Sequence, residues 1–216
     1  MIVKSLFLSN RILLFSFKIN GKTLIEIAIN KLKLGLVERV FVMTNDEEVS
    51  KLSKRFGAEV PFIRKKDEDH DFCNTLNQLL NTLGSKEKFS PDLIALVFPH
   101  SPLINKEEIE EAINTALIYQ TDSVVGVTED KTFHWSVGDK GLEKVGYKNR
   151  ETRYERELVY REAGGVYVLK YKKKFSSKNM FGNKIGHIEF SNDKVLRIQE
   201  KFDCKVAEIL LKKNEC

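Results

Sequence analysis

Two short stretches carry residue types that could serve a ligand. One is Pro99-His100-Ser101-Pro102, which follows the apolar run Asp92–Phe98 (DLIALVF). A strand buried on both faces reads as such a run, and ligands in open α/β sheets bind just beyond strand ends, so His100 is a candidate for a functional role. The other is Tyr160-Arg161-Glu162-Ala163-Gly164-Gly165. Paired glycines either let backbone approach a ligand closely or make a tight bend. The Arg150–Arg161 segment before them is charge-rich, which by itself can be read as a solvated hairpin. His70, among acids, reads as a solvated loop histidine. Cys73, Cys204 and Cys216 show no C-x-x-C spacing, which argues against zinc and for a reducing cytoplasm.

Elements that would position these residues recur from Asn20 to Arg64. Leu24, Ile25, Ile27, Ala28, Ile29, Leu32 and Leu36 follow helical spacing, and Val40–Met43 is a short apolar strand. Asn45-Asp46-Glu47-Glu48 supplies a cap and first-turn acids for a second helix, which Gly57 ends, and Ala58–Ile63 is a further strand candidate. Met1–Leu8 reads as a core strand followed by a loop over Ser9–Lys18. Further on, a helix is expected over about Asn74–Leu83. Another follows over Asn105–Tyr119, with Asn105 as its cap. Ser123–Glu129 reads as a strand, and short antiparallel strands are expected over 131–160. The β-α-β-α-β rhythm predicts an α/β fold: a mostly parallel central sheet with helices on both faces and a small antiparallel insertion.

At 216 residues with 42% apolar content, one domain spanning 1–216 is expected. The net charge of +5 is spread along the chain, so no nucleic-acid stripe is read, although a basic excess suits an anionic small substrate. Lys4 and Arg11 interrupt the apolar start and no small-residue cleavage site follows. A buried strand is expected there, not a membrane segment or signal.

Several runs carry a resemblance to the CMP-sialic acid synthetase (acylneuraminate cytidylyltransferase) family, over about residues 2 to 212. They are Asn20-Gly21-Lys22-Thr23-Leu24-Ile25, Thr44-Asn45-Asp46-Glu47-Glu48-Val49, Gly57–Arg64, Pro99–Leu103, Ser123–Glu129, Tyr160–Val168 and Phe202–Glu208. The resemblance implies a nucleotide-diphospho-sugar transferase-like fold. It also implies transfer of CMP from CTP to a 2-keto sugar acid for surface glycans, in a cytoplasmic homodimer that uses Mg²⁺. By the same resemblance Ser9, Arg11, Arg64, Asp71, Cys73, Phe98 and Ser101 are nucleotide-binding positions. Tyr160, Gly164 and Gly165 are substrate-binding, Arg153 is the catalytic candidate, and the 131–160 insertion reaches across the dimer.

The chain departs from the family at the groups that handle phosphate charge. The first loop carries Leu6, Phe7, Leu8, Leu13 and Phe15 where the family has cations, glycines and a proline. Phe98 stands where a glutamine reads the cytosine edge; a phenyl ring can stack on a base but cannot hydrogen-bond to it. Ile104 replaces an arginine. The two metal carboxylates are Arg197 and Gln199, so the Mg²⁺ expected of the family lacks its ligands, and no metal ligand is assigned. Three readings follow: a cytidylyltransferase-type enzyme, a non-catalytic homologue that binds nucleotide or sugar or pairs with an active subunit, and a nucleotidyltransferase for another sugar.

Overall fold

A computed structural model describes residues 3–9, 17–65, 72–145, 158–172 and 174–214. In chain order its elements are β1 (Val3–Ser9), β2 (Lys18–Ile19), β3 (Lys22–Thr23), α1 (Leu24–Lys31), β4 (Val37–Thr44), α2 (Glu47–Arg55), α3 (Phe72–Glu87), β5 (Leu93–Val97), α4 (Lys106–Ile118), β6 (Ser123–Glu129), β7 (His134–Gly138), β8 (Gly141–Val145), β9 (Tyr160–Lys170), β10 (Ile185–Glu189) and α5 (Lys201–Asn214). Six strands form one sheet in the order β10-β6-β9-β5-β1-β4. All neighbours pair in parallel except β9, which runs antiparallel to both β5 and β6. The mostly parallel α/β architecture read from the sequence is thus the fold. The expected antiparallel insertion is the β7–β8 hairpin.

Alternation along the strands explains the continuous apolar runs. Val42, Ala95, Val97, Val166 and Val168 join one buried cluster with Ile25 and Ile29 of α1 and Ile109 and Ile113 of α4. Their sequence neighbours Phe41, Met43, Ile94, Leu96 and Leu169 join a second cluster with Leu76, Leu79 and Leu83 of α3. Successive side chains of a strand point to opposite faces, so a strand covered by helices on both sides is apolar at every position. A third cluster, including Ile19, Leu24, Ile198, Cys204 and Ala207, seats α5 on the β2–β3 hairpin.

The helix starts follow their capping residues. Asp46 accepts from the N–H groups of Glu48 and Val49 at 2.8 and 3.0 Å. Asn105 and Glu108 form a reciprocal capping box on α4. The expectation of a strand over Ala58–Ile63 needs correction. The segment touches β4 only through isolated parallel bridges, Phe41 to Glu59 and Thr44 to Ile63. Pro61 between them has no N–H to donate, which interrupts a ladder. Arg39 holds the segment instead, through Nε to Glu59 Oε1 at 2.7 Å, and its other ion pair, to Glu87, ties β4 to α3.

Because β4, β1, β5, β6 and β10 run the same way, their C-terminal ends share one edge of the sheet. That edge carries Thr44, Ser9, Val97, Glu129 and Glu189. It also receives the start of β9 at Tyr160.

Candidate active site

The centre of this edge is the turn after β5. Phe98 N–H donates to the Gly165 carbonyl at 3.2 Å, and Ser101 N–H closes the turn onto Phe98 O at 3.1 Å. Ile198 N–H donates to His100 O at 2.7 Å, which straps residues 196–198 across the turn. Lys31, in the last turn of α1, reaches over and donates from Nζ to Pro102 O. Burial pushes that ammonium down to about 7, against the pull of Glu108 and with a further push from Lys194.

His100 is the side chain that Arg197 leans on: Nη2 of Arg197 lies 3.0 Å from His100 Nε2. Burial, and then the adjacent guanidinium, lower His100 to about 4. The imidazole is therefore neutral at pH 7. A guanidinium can only donate, so Nε2 accepts and the proton sits on Nδ1. Phe98 packs its ring 5.4 Å from His100 and edge-on to Tyr167 at 5.8 Å. The Tyr167 hydroxyl donates to Glu162 Oε1, and burial followed by that carboxylate raises its pKa.

The two glycines do different work. Gly164 has φ +69, a conformation that favours glycine, and a Cβ there would lie 3.6 Å from Tyr167 Oη and 3.7 Å from Arg197 Nη1. Gly165 is bare because the protein itself fills the space: a Cβ would meet Ile104 Cδ1 at 2.0 Å and Ser101 Cβ at 3.1 Å. The close approach expected at Gly165 is thus made by Ile104 and Ser101. Ser101 is 4% exposed, and its Oγ has no hydrogen-bond partner among the described residues. Leaving a buried hydroxyl unmatched costs about 1–3 kcal/mol, and Thr121 and Ser123, at the other end of the sheet, are in the same position.

The other sequence-derived positions fall around this centre with varying fit. Arg64 lies at the end of β4, with its N–H on Thr44 O at 2.9 Å, and is 4% exposed. Ser9 closes β1 on the same edge. Cys73 is buried in the α3 cluster among Leu76 and Leu80, which makes it packing and not a surface contact. Tyr160 is at the start of β9, with its hydroxyl 3.4 Å from Glu189 Oε2. Arg11, Asp71 and Arg153 lie outside the described residues. Ile104 is 1% exposed in the core, so no cation could replace the family arginine at that point.

Sequence reading missed a cleft on the same edge, of about 390 Å³, beyond β6. Its floor is Asp130, whose carboxylate accepts from Thr132 N–H at 2.8 Å and Thr132 Oγ1 at 2.5 Å and faces His134 Nε2 at 2.8 Å. Those bonds, the Thr132 ones first, hold Asp130 down at about 2. Arg161 Nε lies 3.8 Å away, and Asn192 completes the wall. The D-x-T spacing at 130–132 is the signal that could have found it, because an aspartate commonly accepts from the N–H two residues on.

The two positions where Mg²⁺ would be held do not fit a metal. Arg197 is a cation engaged with His100, and Gln199 is a neutral amide. The nearby carboxylate of Asp203 is spent on the start of α5, accepting from Gln199 and Glu200 N–H at 2.7 and 2.9 Å. Among the described residues no three His, Cys, Asp or Glu side chains gather to hold an ion.

The cytidylyltransferase family pattern matches residues 16–205. The chain is 23% identical over 204 residues to a pseudaminic acid cytidylyltransferase of Campylobacter jejuni subsp. jejuni serotype O:2, covering 90% of this chain and 87% of that protein. It is 22% identical over 203 residues to post-translational flagellin modification protein B of Campylobacter coli, covering 90% and 86%. Among solved structures, CMP:2-keto-3-deoxy-manno-octonic acid synthetase complexed with CTP superposes with a TM-score of 0.69 at 12% identity, covering 99% of each chain. The 4-diphosphocytidyl-2C-methyl-D-erythritol synthase of Anaerococcus prevotii does so with 0.69 at 10% identity, covering 98% of each. These structural likenesses share the fold. The chain belongs to the cytidylyltransferase family, the level at which its resemblance to CMP-sialic acid synthetases holds.

Proposed function

We propose that this cytidylyltransferase-family chain transfers CMP from CTP to an acidic 2-keto sugar, with pyrophosphate leaving, as a step toward a surface glycan. The observation that carries the reading is the cytidylyltransferase pattern over residues 16–205, laid on a sheet whose strand-end edge carries the exposed Arg197 beside Gly164. Relatives named for cytidylyl transfer to pseudaminic acid support it along 90% of the chain. In this reading the nucleotide lies over the ends of β1, β4 and β5. By the family resemblance Ser9, Arg11, Arg64, Asp71 and Ser101 are its binding positions, and Arg153 serves the reacting phosphorus. The sugar acid sits toward Tyr160, Gly164 and the cleft at Asp130. Its carboxylate finds Arg161, and its hydroxyls find Thr132 and Asn192. Stabilising charge on the transferring phosphoryl group is the main task of such a site.

The reading includes a homodimer. The β7–β8 hairpin exposes Trp135, Val137 and Leu142, with Val137 at 88% and Leu142 at 68% exposure. Val137 and Leu142 are direct cross-strand partners, so they form one apolar patch that a second copy would cover. No described helix is long and apolar enough to cross a membrane.

The test is incubation with CTP and a panel of 2-keto sugar acids, pseudaminic acid among them, with mass-spectrometric detection of the CMP-sugar. Formation with one of them is expected; CTP binding with no product from any of them would contradict it. A second reading, a homologue that binds CTP without turning it over, draws on the loss of metal carboxylates at Arg197 and Gln199, and that same outcome is the one it predicts.

A further inference from the structure

We propose that Arg197 is the resident cation that receives the nucleotide's phosphates, so that this protein binds CTP without a divalent metal. The inference rests on the reading of the strand-end edge as a CTP site. It begins from how the guanidinium is held. Arg197 is exposed, yet it is braced from behind: Nη2 donates to the neutral His100 ring at 3.0 Å, while the next residue, Ile198, is 2% exposed and bonded to His100 O at 2.7 Å. Side chain and main chain of residues 197–198 are therefore both fixed to the turn that carries Ser101. An exposed arginine ordinarily loses much rotamer freedom when it binds; one already braced loses less.

The flank of the guanidinium is kept bare. Gly164 is the residue beside Nη1, and it supplies no side chain to cover it. The adjacent Gly165 carries the backbone past Ser101, whose buried Oγ lacks a partner among the described residues. A planar cation thus borders Gly164, while Ser101 and Ile104 fill the space at Gly165. A guanidinium fork matches two phosphate oxygens at once, and its charge is permanent. A divalent ion at the same place would meet that charge, and two carboxylates of the adjoining segments are engaged elsewhere. Asp203 is bonded to the N–H groups that open α5, and Glu162 to the Tyr167 hydroxyl.

Calorimetric titration of the full chain with CTP, once with Mg²⁺ and once with EDTA, decides the matter. The dissociation constants are expected to agree within about threefold. Arg197→Gln is expected to weaken CTP by about 10–100-fold in either buffer, the usual range for losing one charge-assisted hydrogen bond, and to leave cytidine unchanged. Arg197→Lys should recover part of the loss. A tenfold or larger gain on adding Mg²⁺ to the unmodified protein would overturn the inference and leave the CTP site standing. Absence of CTP binding in both buffers would overturn both. An Arg197→Gln protein that binds CTP as well as the parent would remove Arg197 from the site. The Mg²⁺ comparison needs no variant, so a misfolded Arg197→Gln would not blunt it.

Discussion

At His100 the acid–base chemistry carries a sign that stability measurements can read. Its folded value, about 4, lies below the ordinary 6.5 because the ring is buried and faces Arg197. Between those two values the unfolded chain binds a proton that the folded one refuses. Its contribution is therefore fully present above pH 6.5 and is lost as the pH falls toward 4. Urea denaturation across this window should show stability falling more steeply for the parent than for His100→Phe. Parallel slopes would mean that the ring is not held neutral. At Gly165 the prediction concerns space. Gly165→Ala should cost about 1–3 kcal/mol, the usual range for overpacking, and Ile104→Val should return part of it by removing the methyl that a Cβ would strike. No coupling between the two changes would contradict the close contact. His100, Ser101 and the glycine pair were visible in the sequence as chemistry at a strand end. Arg197 was visible only as a misplaced charge. Nothing in the spacing of 100 and 197 says that a strap folds one onto the other, since that contact is made by tertiary packing alone. Lys31 was hidden for the same reason: its helical stripe shows a core face but not the Pro102 carbonyl beyond its end.

At the scale of elements, local chemistry decided what could be read. The cap of α4 was legible as Asn105, and the structure adds the reciprocal bond from Asn105 N–H to Glu108. Asn105→Ala is expected to lower stability by about 1 kcal/mol, measured by thermal or chemical denaturation; a change within error would mean that the cap is replaced by water. Strands β4, β5 and β6 were legible because double burial leaves an unbroken apolar run. The segment 58–63 misled because it has strand-like composition, while pairing depends on donors that Pro61 lacks. The reversal of β9 was also hidden. Apolar content at Val166–Leu169 reports burial, and direction is set by where the chain returns from the hairpin insertion.

For the whole molecule, the scaffold follows the family pattern while the charge apparatus departs from it. The six-stranded sheet places the C-terminal strand ends of a cytidylyltransferase on one edge, and its core accounts for most of the apolar pattern. At that edge a guanidinium stands where the resemblance expected metal-binding carboxylates. The proposed second copy belongs to this scale too. Val137→Glu should shift the protein from dimer to monomer in light scattering, with little effect on folding, since Val137 is 88% exposed. A parent that is already monomeric would contradict the interface. The central claim is cytidylyl transfer at a strand-end edge that meets phosphate charge with arginine. The measurement that tests it most directly is pyrophosphate release from CTP and a 2-keto sugar acid, followed in EDTA and then in Mg²⁺. The account predicts release that needs both substrates and proceeds at a similar rate in the two buffers. Release that vanishes in EDTA, or that is absent in both, would contradict it.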